Sequence, residues 1–403
     1  VDFDDSPEEA EFRAEARAWL EQKAPAHETP GPVNINAPDH VGRSKRWQAE
    51  LFRGGWAGIT WPKEFGGRGG NAVQNSIFSH EQNRFRLPIG MFTVASGMVG
   101  PTLMQHGRDD QKQRFLEPIL RGDEVWCQLF SEPGAGSDLA GLATRAERDG
   151  DEFVVNGQKV WNSGAHYSDF GILLARSNRD VPKHRGITYF IVDMRAPGIE
   201  VRPLRQITGH AHFNEVFLSD VRIPVANVVG DVDAGWGVAV TTLANERTSI
   251  GGFRRGDPMG AIIDLARRVG SAGDVLARDR IANVYIHYEL LKYLGFRVQT
   301  SLSQGRMPGP ESSVMKLALS NQATRVGDLV LALQGAAATL GGGDALDAGH
   351  WQQEFLGQFG IKIGGGTDQV QRNVIGERVL GLPGEPRLDK DVPFRSLSEG
   401  RGV

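Results

Sequence analysis

Between Trp126 and Ser137 the chain sets two glycines (Gly134, Gly136), a rigid Pro133 and two hydroxyls (Ser131, Ser137) behind an apolar run. Glycines let backbone N–H groups come close to a bound group, and hydroxyls can complete its hydrogen bonding. Residues of these types suit the holding of a polar heterocycle or a phosphate. Gly134-Ala135-Gly136 has the look of a dinucleotide-binding fingerprint, but that fingerprint must open a helix. No clear helix-forming stretch follows, and the next well-marked element reads as a hairpin. A cofactor-cradling loop of another fold is the favoured reading over a plain tight turn.

Other chemistries are poorly supplied. His210-x-His212 has the spacing of a chelating pair, but no cysteine or acidic ligand pattern surrounds it, so it reads as a polar loop before a strand and no metal is expected. His166 is given no role. The single cysteine, Cys127, excludes an internal disulfide, a cysteine-rich zinc site and an iron–sulfur cluster within the chain. The 45 basic and 49 acidic residues give a net charge of −4, with no basic footprint for nucleic acid. No apolar run approaches the roughly 18 residues of a membrane span. Val1-Asp2-Phe3-Asp4-Asp5 is acidic and lacks the basic-then-apolar order of a signal peptide. The expectation is a soluble, cytoplasmic protein with neither nucleic-acid nor membrane partners.

The 403 residues suffice for two or three substructures, and three stretches of different period succeed one another. Ser6-Pro7-Glu8-Glu9 is a helix start, with Phe12, Ala16, Trp19 and Leu20 on one face before Pro25. Residues 27–44 read as loop, and further helix is expected over Ser44–Phe52 and Gln74–Phe85, separated by the glycines around Arg68. From about residue 127 the pattern turns to strands. Phe153 to Trp161 reads as a hairpin turning at Asn156-Gly157; Phe170–Ala175, Ile187–Val192 and Val216–Ile223 are further strands. With no long helices between them, an antiparallel sandwich or barrel is expected rather than βαβ units. After Gly235-Trp236-Gly237 the helical period returns in Ile262/Leu265/Val269, Ile281/Val284/Leu290 and Val326/Leu329/Val330/Leu333, the pattern of a bundle. The fold class is α+β: an N-terminal α-helical domain (1–126), a middle β domain (127–235) and a C-terminal four-helix bundle (236–403).

Ser131-Glu132-Pro133-Gly134-Ala135-Gly136-Ser137-Asp138, then Asn156-Gly157-Gln158-Lys159-Val160-Trp161, then Gly366-Thr367-Asp368-Gln369-Val370-Gln371-Arg372-Asn373 running on to Glu377-Arg378-Val379-Leu380-Gly381, resemble the acyl-CoA dehydrogenase family in sequence and in order. The α–β–α layout extends the resemblance over essentially the whole chain. It implies FAD between the β domain and the C-terminal helices, with a neighbouring subunit completing the site. Phe130 and Ser131 are then expected along the flavin edge, Trp161 over the ring, and Ser163 where the family usually has a threonine donating to flavin N5. Gly136 belongs to the loop, and Ser137 is expected at the pyrophosphate or the pantetheine arm of the thioester. Thr367 and Gln369 are expected at the pyrophosphate and ribose. Arg267 and Gln334 are expected to reach the adjacent subunit's cofactor, although the family's Arg-x-x-Phe-Gly pattern is broken at Gly270-Ser271.

The reaction needs a base for a weakly acidic α-proton, and a carboxylate in a desolvated pocket suits it. Most of the family has a glutamate just before the Gly-Thr of the last block, where this chain has Gly365. A minority carries it earlier, immediately before an arginine, and Glu246-Arg247 matches that arrangement. Glu246 is the expected base and Arg247 a substrate-side residue. The small residues from Thr248 to Gly252 suggest room for a branched or bulky acyl group. The Gly365 N–H is expected to donate to the thioester carbonyl together with a ribityl hydroxyl. The resemblance thus implies an FAD-dependent acyl-CoA dehydrogenase giving a trans-2-enoyl-CoA. Its electrons pass to an electron-transfer flavoprotein, and the assembly is a homotetramer or a heterotetramer. Two alternatives stand beside it: a base-deficient partner subunit, and a flavin oxidase or monooxygenase on the same fold.

Overall fold

The computed structural model describes residues 5–29, 37–250, 258–304, 309–310, 312–386 and 389–399. They fall into two compact units, residues 1–249 with 386–403, and residues 250–385.

In the first unit, α1 (Pro7–Lys23) begins as the sequence dictates. Ser6 Oγ accepts from the Glu9 N–H, and the Glu9 carboxylate accepts from the Ser6 N–H. Its stripe of Phe12, Ala16 and Leu20 is buried. A second tie is electrostatic. Glu81, on α3 (Ala72–Gln82), is buried and bonded to Arg13 (3.1 Å), Arg17 (3.0 Å) and Arg84 (2.9 Å). Burial alone raises such a carboxyl, but the guanidiniums outweigh it and hold Glu81 at about 2. α2 (His40–Arg53) starts four residues earlier than its apolar pattern suggested, and α4 (Gly100–His106) and α5 (Asp109–Arg121) complete the helical layer.

The seven strands are β1 (Trp126–Leu129), β2 (Arg145–Asp149), β3 (Glu152–Lys159), β4 (Phe170–Arg176), β5 (Ile187–Asp193), β6 (Ile199–Leu204) and β7 (Phe213–Pro224). They form one sheet, ordered β1-β4-β2-β3-β7-β6 with β5 also on β4. Most pairs are antiparallel, but β1 and β2 both meet β4 in parallel. Trp126 stacks on Phe170 at 5.1 Å, and both meet Phe115 of α5 edge-on. Helical layer and sheet therefore share one core.

The expected turn at Asn156-Gly157 does not occur. Both residues lie inside β3, and the ladder to β7 shifts register there. The extra residue is on β7, at Asp220 (φ 53°), whose N–H and carboxylate both bond the Asn156 side chain at 2.9 Å. Gly157 is required by a close approach, since a Cβ there would stand 2.4 Å from Thr144 Oγ1. The hairpin turns instead at Gly150-Asp151, with Gly150 at φ 62° and Asp149 paired with Glu152.

α6 (Gly235–Ile250) closes the first unit. Thr242 Oγ1 lies 2.9 Å from Thr102 Oγ1 on α4 and 3.1 Å from the Tyr189 hydroxyl on β5. A short α12 (Phe394–Glu399) lies further along the chain in the same unit.

The second unit is helical: α7 (Pro258–Arg268), α8 (Val275–Ser303), α9 (Ser312–Gln334), α10 (His350–Ile363) and α11 (Asp368–Val374). Ile262, Leu265, Val284, Val326, Leu329, Val330 and Leu333 lie in its core as the apolar spacing predicts, joined by Trp351, while Leu290 of the same pattern is exposed. No helix among the described residues is long and apolar enough to cross a membrane.

Candidate active site

The glycine loop is anchored at both ends. Before it, Phe130 is buried with its ring edge-on to Tyr189, centroids 5.9 Å apart. Within it, Glu132 and Ala135 exchange N–H···O bonds of 3.0 Å, closing the turn. The Ser131 carbonyl accepts from the Val160 N–H at 2.9 Å, which sets the loop beside the end of β3. Gly134, Gly136 and Ser137 are exposed, and a Cβ at either glycine would meet nothing within 4 Å. Their backbone is open to a ligand.

A buried ion pair bolts this arrangement. Lys159 Nζ lies 2.7 Å from Glu132 Oε1 and donates to the Phe130 carbonyl at 3.1 Å. The same carboxylate accepts from the Ala143 (2.7 Å) and Thr144 (2.9 Å) amides. Burial pushes the Glu132 carboxyl up, but Lys159 and these donors more than offset it, leaving it below its ordinary value. Motif spacing named neither residue as a pair. The signal was a lysine at a strand position that period two assigns to the buried face.

Trp161 follows β3 with φ 63°, a left-handed backbone that bulky residues rarely adopt, and the residue is 59% exposed. Exposed aromatic surface held in a strained backbone conformation marks a functional candidate. Its neighbour fixes it. Asn162 is buried, exchanges backbone hydrogen bonds of 3.1 Å with Asn214 and donates to the Gln128 carbonyl at 2.7 Å. The Asn162 Oδ1 is buried with no hydrogen-bond partner. Ser163, next along, is exposed. The Ser131–Val160 bond thus brings the Phe130-Ser131 and Val160-Trp161 segments together, with Ser163 two residues beyond Trp161, and the structural roles of Asn162 and Asn214 carry no sequence signal.

Glu246 lies on α6, half-buried. It stands four residues beyond Thr242, on the same helical face and about 6 Å along the axis. Thr242 bonds Tyr189, and Tyr189 packs against Phe130. The Glu246 backbone therefore continues the face that meets the Phe130 corner of the sheet. The Arg247 side chain, and the stretch from Thr248 to Gly252 expected to leave room for an acyl group, lie outside the described side chains.

In the helical unit, Thr367 caps α11, its Oγ1 accepting from the Val370 N–H at 3.2 Å, and Gln369 is exposed in the first turn. Gly365 and Gly366 have φ 66° and 86°, and the Gly365 carbonyl accepts from Gln371 Nε2 at 2.9 Å. A glutamate at Gly365 would have to adopt this left-handed conformation. Beneath the turn, Asp368 is buried against Ser320 (2.6 Å), Lys316 (3.3 Å) and Lys362 (3.2 Å). Arg267 is exposed and paired with Asp264 at 3.0 Å. Gln334 is buried, donating to the Val330 carbonyl at 3.0 Å and facing Gln352 Nε2 at 3.4 Å.

His210 and His212 precede β7; Gln206 Nε2 lies 3.0 Å from His212 Nδ1. Among the described residues no cluster of three His, Cys, Asp or Glu side chains is placed to hold a metal. Cys127 is buried and its thiol is pushed up to about 12 by desolvation, which makes it unreactive.

An α–β–α chain with a glycine loop, an outward tryptophan and a capped Gly-Thr helix start matches three family models: acyl-CoA dehydrogenase N-terminal domain over residues 6–123, middle domain over 127–221 and C-terminal domain over 233–380. The chain belongs to the acyl-CoA dehydrogenase family. It is 37% identical over 392 residues to the acyl-CoA dehydrogenase IpdE1 of Mycobacterium tuberculosis, covering 94% of this chain and 98% of that one. A solved structure described as the Tcur3481-Tcur3483 steroid ACAD superposes with a TM-score of 0.81 at 30% identity, covering 96% of this chain and all of that one. The ChsE4-ChsE5 complex from Mycobacterium tuberculosis gives 0.79 at 33% identity, with coverage of 96% and 100%. The protein is accordingly an acyl-CoA dehydrogenase, an oxidoreductase of a family whose members carry FAD.

The residues of this chain fit that cofactor. An open glycine backbone, an exposed indole and a buried Asn162 oxygen without a protein partner stand on the two segments that the Ser131–Val160 bond joins.

Proposed function

We propose that this chain converts an acyl-CoA thioester to its trans-2-enoyl-CoA, with Glu246 removing the α-proton. FAD, when bound, supplies the acceptor for the hydride that leaves Cβ. The observation that carries the reading is the Phe130–Tyr189–Thr242 contact chain, which supports it because Glu246 lies about one turn beyond Thr242 on α6. Gly365 also supports it, because the position that most of the family uses for the base carries no side chain.

In this reading Phe130, Ser131, Gly136, Ser137, Trp161 and Ser163 hold the cofactor's flavin end and the thioester arm. Thr367 and Gln369 hold its pyrophosphate and ribose. Arg267 and Gln334 serve the neighbouring subunit's cofactor, and Arg247 lies on the substrate side. The Gly365 N–H donates to the thioester carbonyl, acidifying the α-proton. The acyl group is bulky and polycyclic, in keeping with the steroid ACAD among the structural neighbours. Electrons pass to an electron-transfer flavoprotein. Ile286, Leu290 and Tyr293, an exposed apolar stripe at helical spacing on α8, support a tetramer.

The test is anaerobic bleaching of the flavin by a panel of straight, branched and polycyclic CoA thioesters, with the chain expressed alone. Bleaching by at least one thioester is expected. Stoichiometric FAD with no bleaching by any of them favours the second reading, a base-deficient partner subunit, which Gly365 alone would suggest.

A further inference from the structure

We propose that the segment from Asp389 to Glu399 is a clamp that positions the glycine loop for the thioester, acting through Lys183. The proposal rests on the reading that this loop receives the thioester arm.

Three separate stretches meet at two cations. Lys183, between β4 and β5, lies 2.9 Å and 3.0 Å from the two carboxylate oxygens of Asp138, the residue after Ser137. Its other partner is Asp389, at 2.6 Å. Lys183 is largely buried between them, with 12% of its side chain exposed. Arg176 is the second cation. Its side chain is buried and donates to the Ala140 (2.6 Å) and Leu142 (3.3 Å) carbonyls on the glycine-loop side, and to the Lys183 (2.8 Å) and Arg185 (2.9 Å) carbonyls on the other.

Phe394 covers this junction, its ring centroid 3.9 Å from the Arg176 guanidinium carbon. The segment is also stitched down through its backbone. The Phe394 N–H donates to the Val181 carbonyl at 2.9 Å and the Arg395 N–H to the Arg179 carbonyl at 3.0 Å, while Arg395 pairs with Asp180 at 2.7 Å.

The arrangement has a direction. Gly134, Gly136 and Ser137 are exposed and the near end of the loop is tied by the Glu132–Ala135 and Ser131–Val160 bonds, while its far end is held through Asp138, Ala140 and Leu142. Each of these three is gripped by a cation that the C-terminal segment in turn contacts. Lys183 is a positioning residue that need not touch substrate. A bound thioester arm meets a preset loop and loses less affinity to ordering it.

The experiment compares the full-length holoenzyme with its Asp389→Asn and Asp389→Glu variants, with Phe394→Ala as a second, independent lesion. Asp389 is partly exposed and lies outside the hydrophobic core, so its variants should fold and retain FAD. Asp389→Asn is expected to speed amide hydrogen exchange across 132–138 while β4 and β5 keep their protection. It should raise KM for the thioester that bleaches the wild-type flavin by about threefold to fivefold, the scale of one partly screened ion pair. kcat should stay within about twofold, since a purely binding defect leaves the chemical step alone. Asp389→Glu should restore most of the KM, and Phe394→Ala should reproduce the defect. An unchanged KM in both Asp389→Asn and Phe394→Ala overturns the proposal, whatever the exchange shows. So does a loss of thermal stability without any change in exchange at 132–138. Failure of the underlying reading has a separate signature, a wild-type flavin that no thioester bleaches.

Discussion

Replacing Lys159 by methionine tests whether the buried pair with Glu132 holds the glycine loop in place. The substitution keeps the aliphatic stem and removes the charge, leaving the Glu132 carboxylate buried at 9% exposure. Breaking a buried pair from one side costs about 3–5 kcal/mol. The Ala143 and Thr144 amides remain as donors, which places this case near the lower end, about 3 kcal/mol. For a unit of this size that is a drop in Tm of roughly 6–12 °C. The sign with pH is fixed. In the native chain Glu132 sits below its ordinary value, so its contribution is full above about pH 4.5 and fades as pH falls through the folded value. Without Lys159, burial raises the carboxyl, and the penalty is full above that raised value, shrinks as pH falls through the interval down to the ordinary value, and vanishes below the latter. The Tm gap between variant and wild type must therefore narrow from pH 7 towards pH 4. The assay is scanning calorimetry of both proteins across that range, with Glu132→Gln/Lys159→Met as the companion. Removing both charges should recover at least half of the loss. A drop under about 2 °C, or a double variant no better than the single one, refutes the reasoning.

Glu81 supplies a second pH signature. Its folded value of about 2 lies below the ordinary 4.5, so its stabilisation is complete above the latter and lost as pH falls toward the former. Glu81→Gln should flatten the acid limb of Tm against pH over that interval, read by calorimetry. Trp161→Gly separates stability from function. Relief of the left-handed backbone, worth about 1 kcal/mol, should leave the apoprotein's Tm unchanged or raised while FAD retention during gel filtration falls.

Much of the fold was legible because its signals are local. Ser6 and Glu9 form a capping box in three residues' reach, and the runs at Phe170, Ile187 and Val216 are apolar enough to name strands. β2 and β6 were not legible, because Arg145-Ala-Glu-Arg-Asp is almost wholly exposed and Ile199 to Leu204 contains a proline. Asn156-Gly157 misled because a turn dipeptide is judged by its neighbours in sequence. Its structural reason lies across the sheet, in Asp220 and Thr144. The site divides the same way. The glycine loop, Trp161 and the missing carboxylate at Gly365 are readable from order and position. The Glu132–Lys159 pair and the Asn162–Asn214 exchange join residues 27 and 52 positions apart, and the Arg176 hub reaches back 36 positions to Ala140, so no local pattern announces them.

The central claim is that Glu246 takes the α-proton. The direct measurement is single-turnover bleaching of the flavin in Glu246→Gln, mixed with the best thioester under anaerobic conditions. Glu246→Gln should retain FAD and thioester binding, with bleaching slowed about a thousandfold or more, the scale of a lost general base. Bleaching within about tenfold of wild type would contradict it and move the base elsewhere in the site.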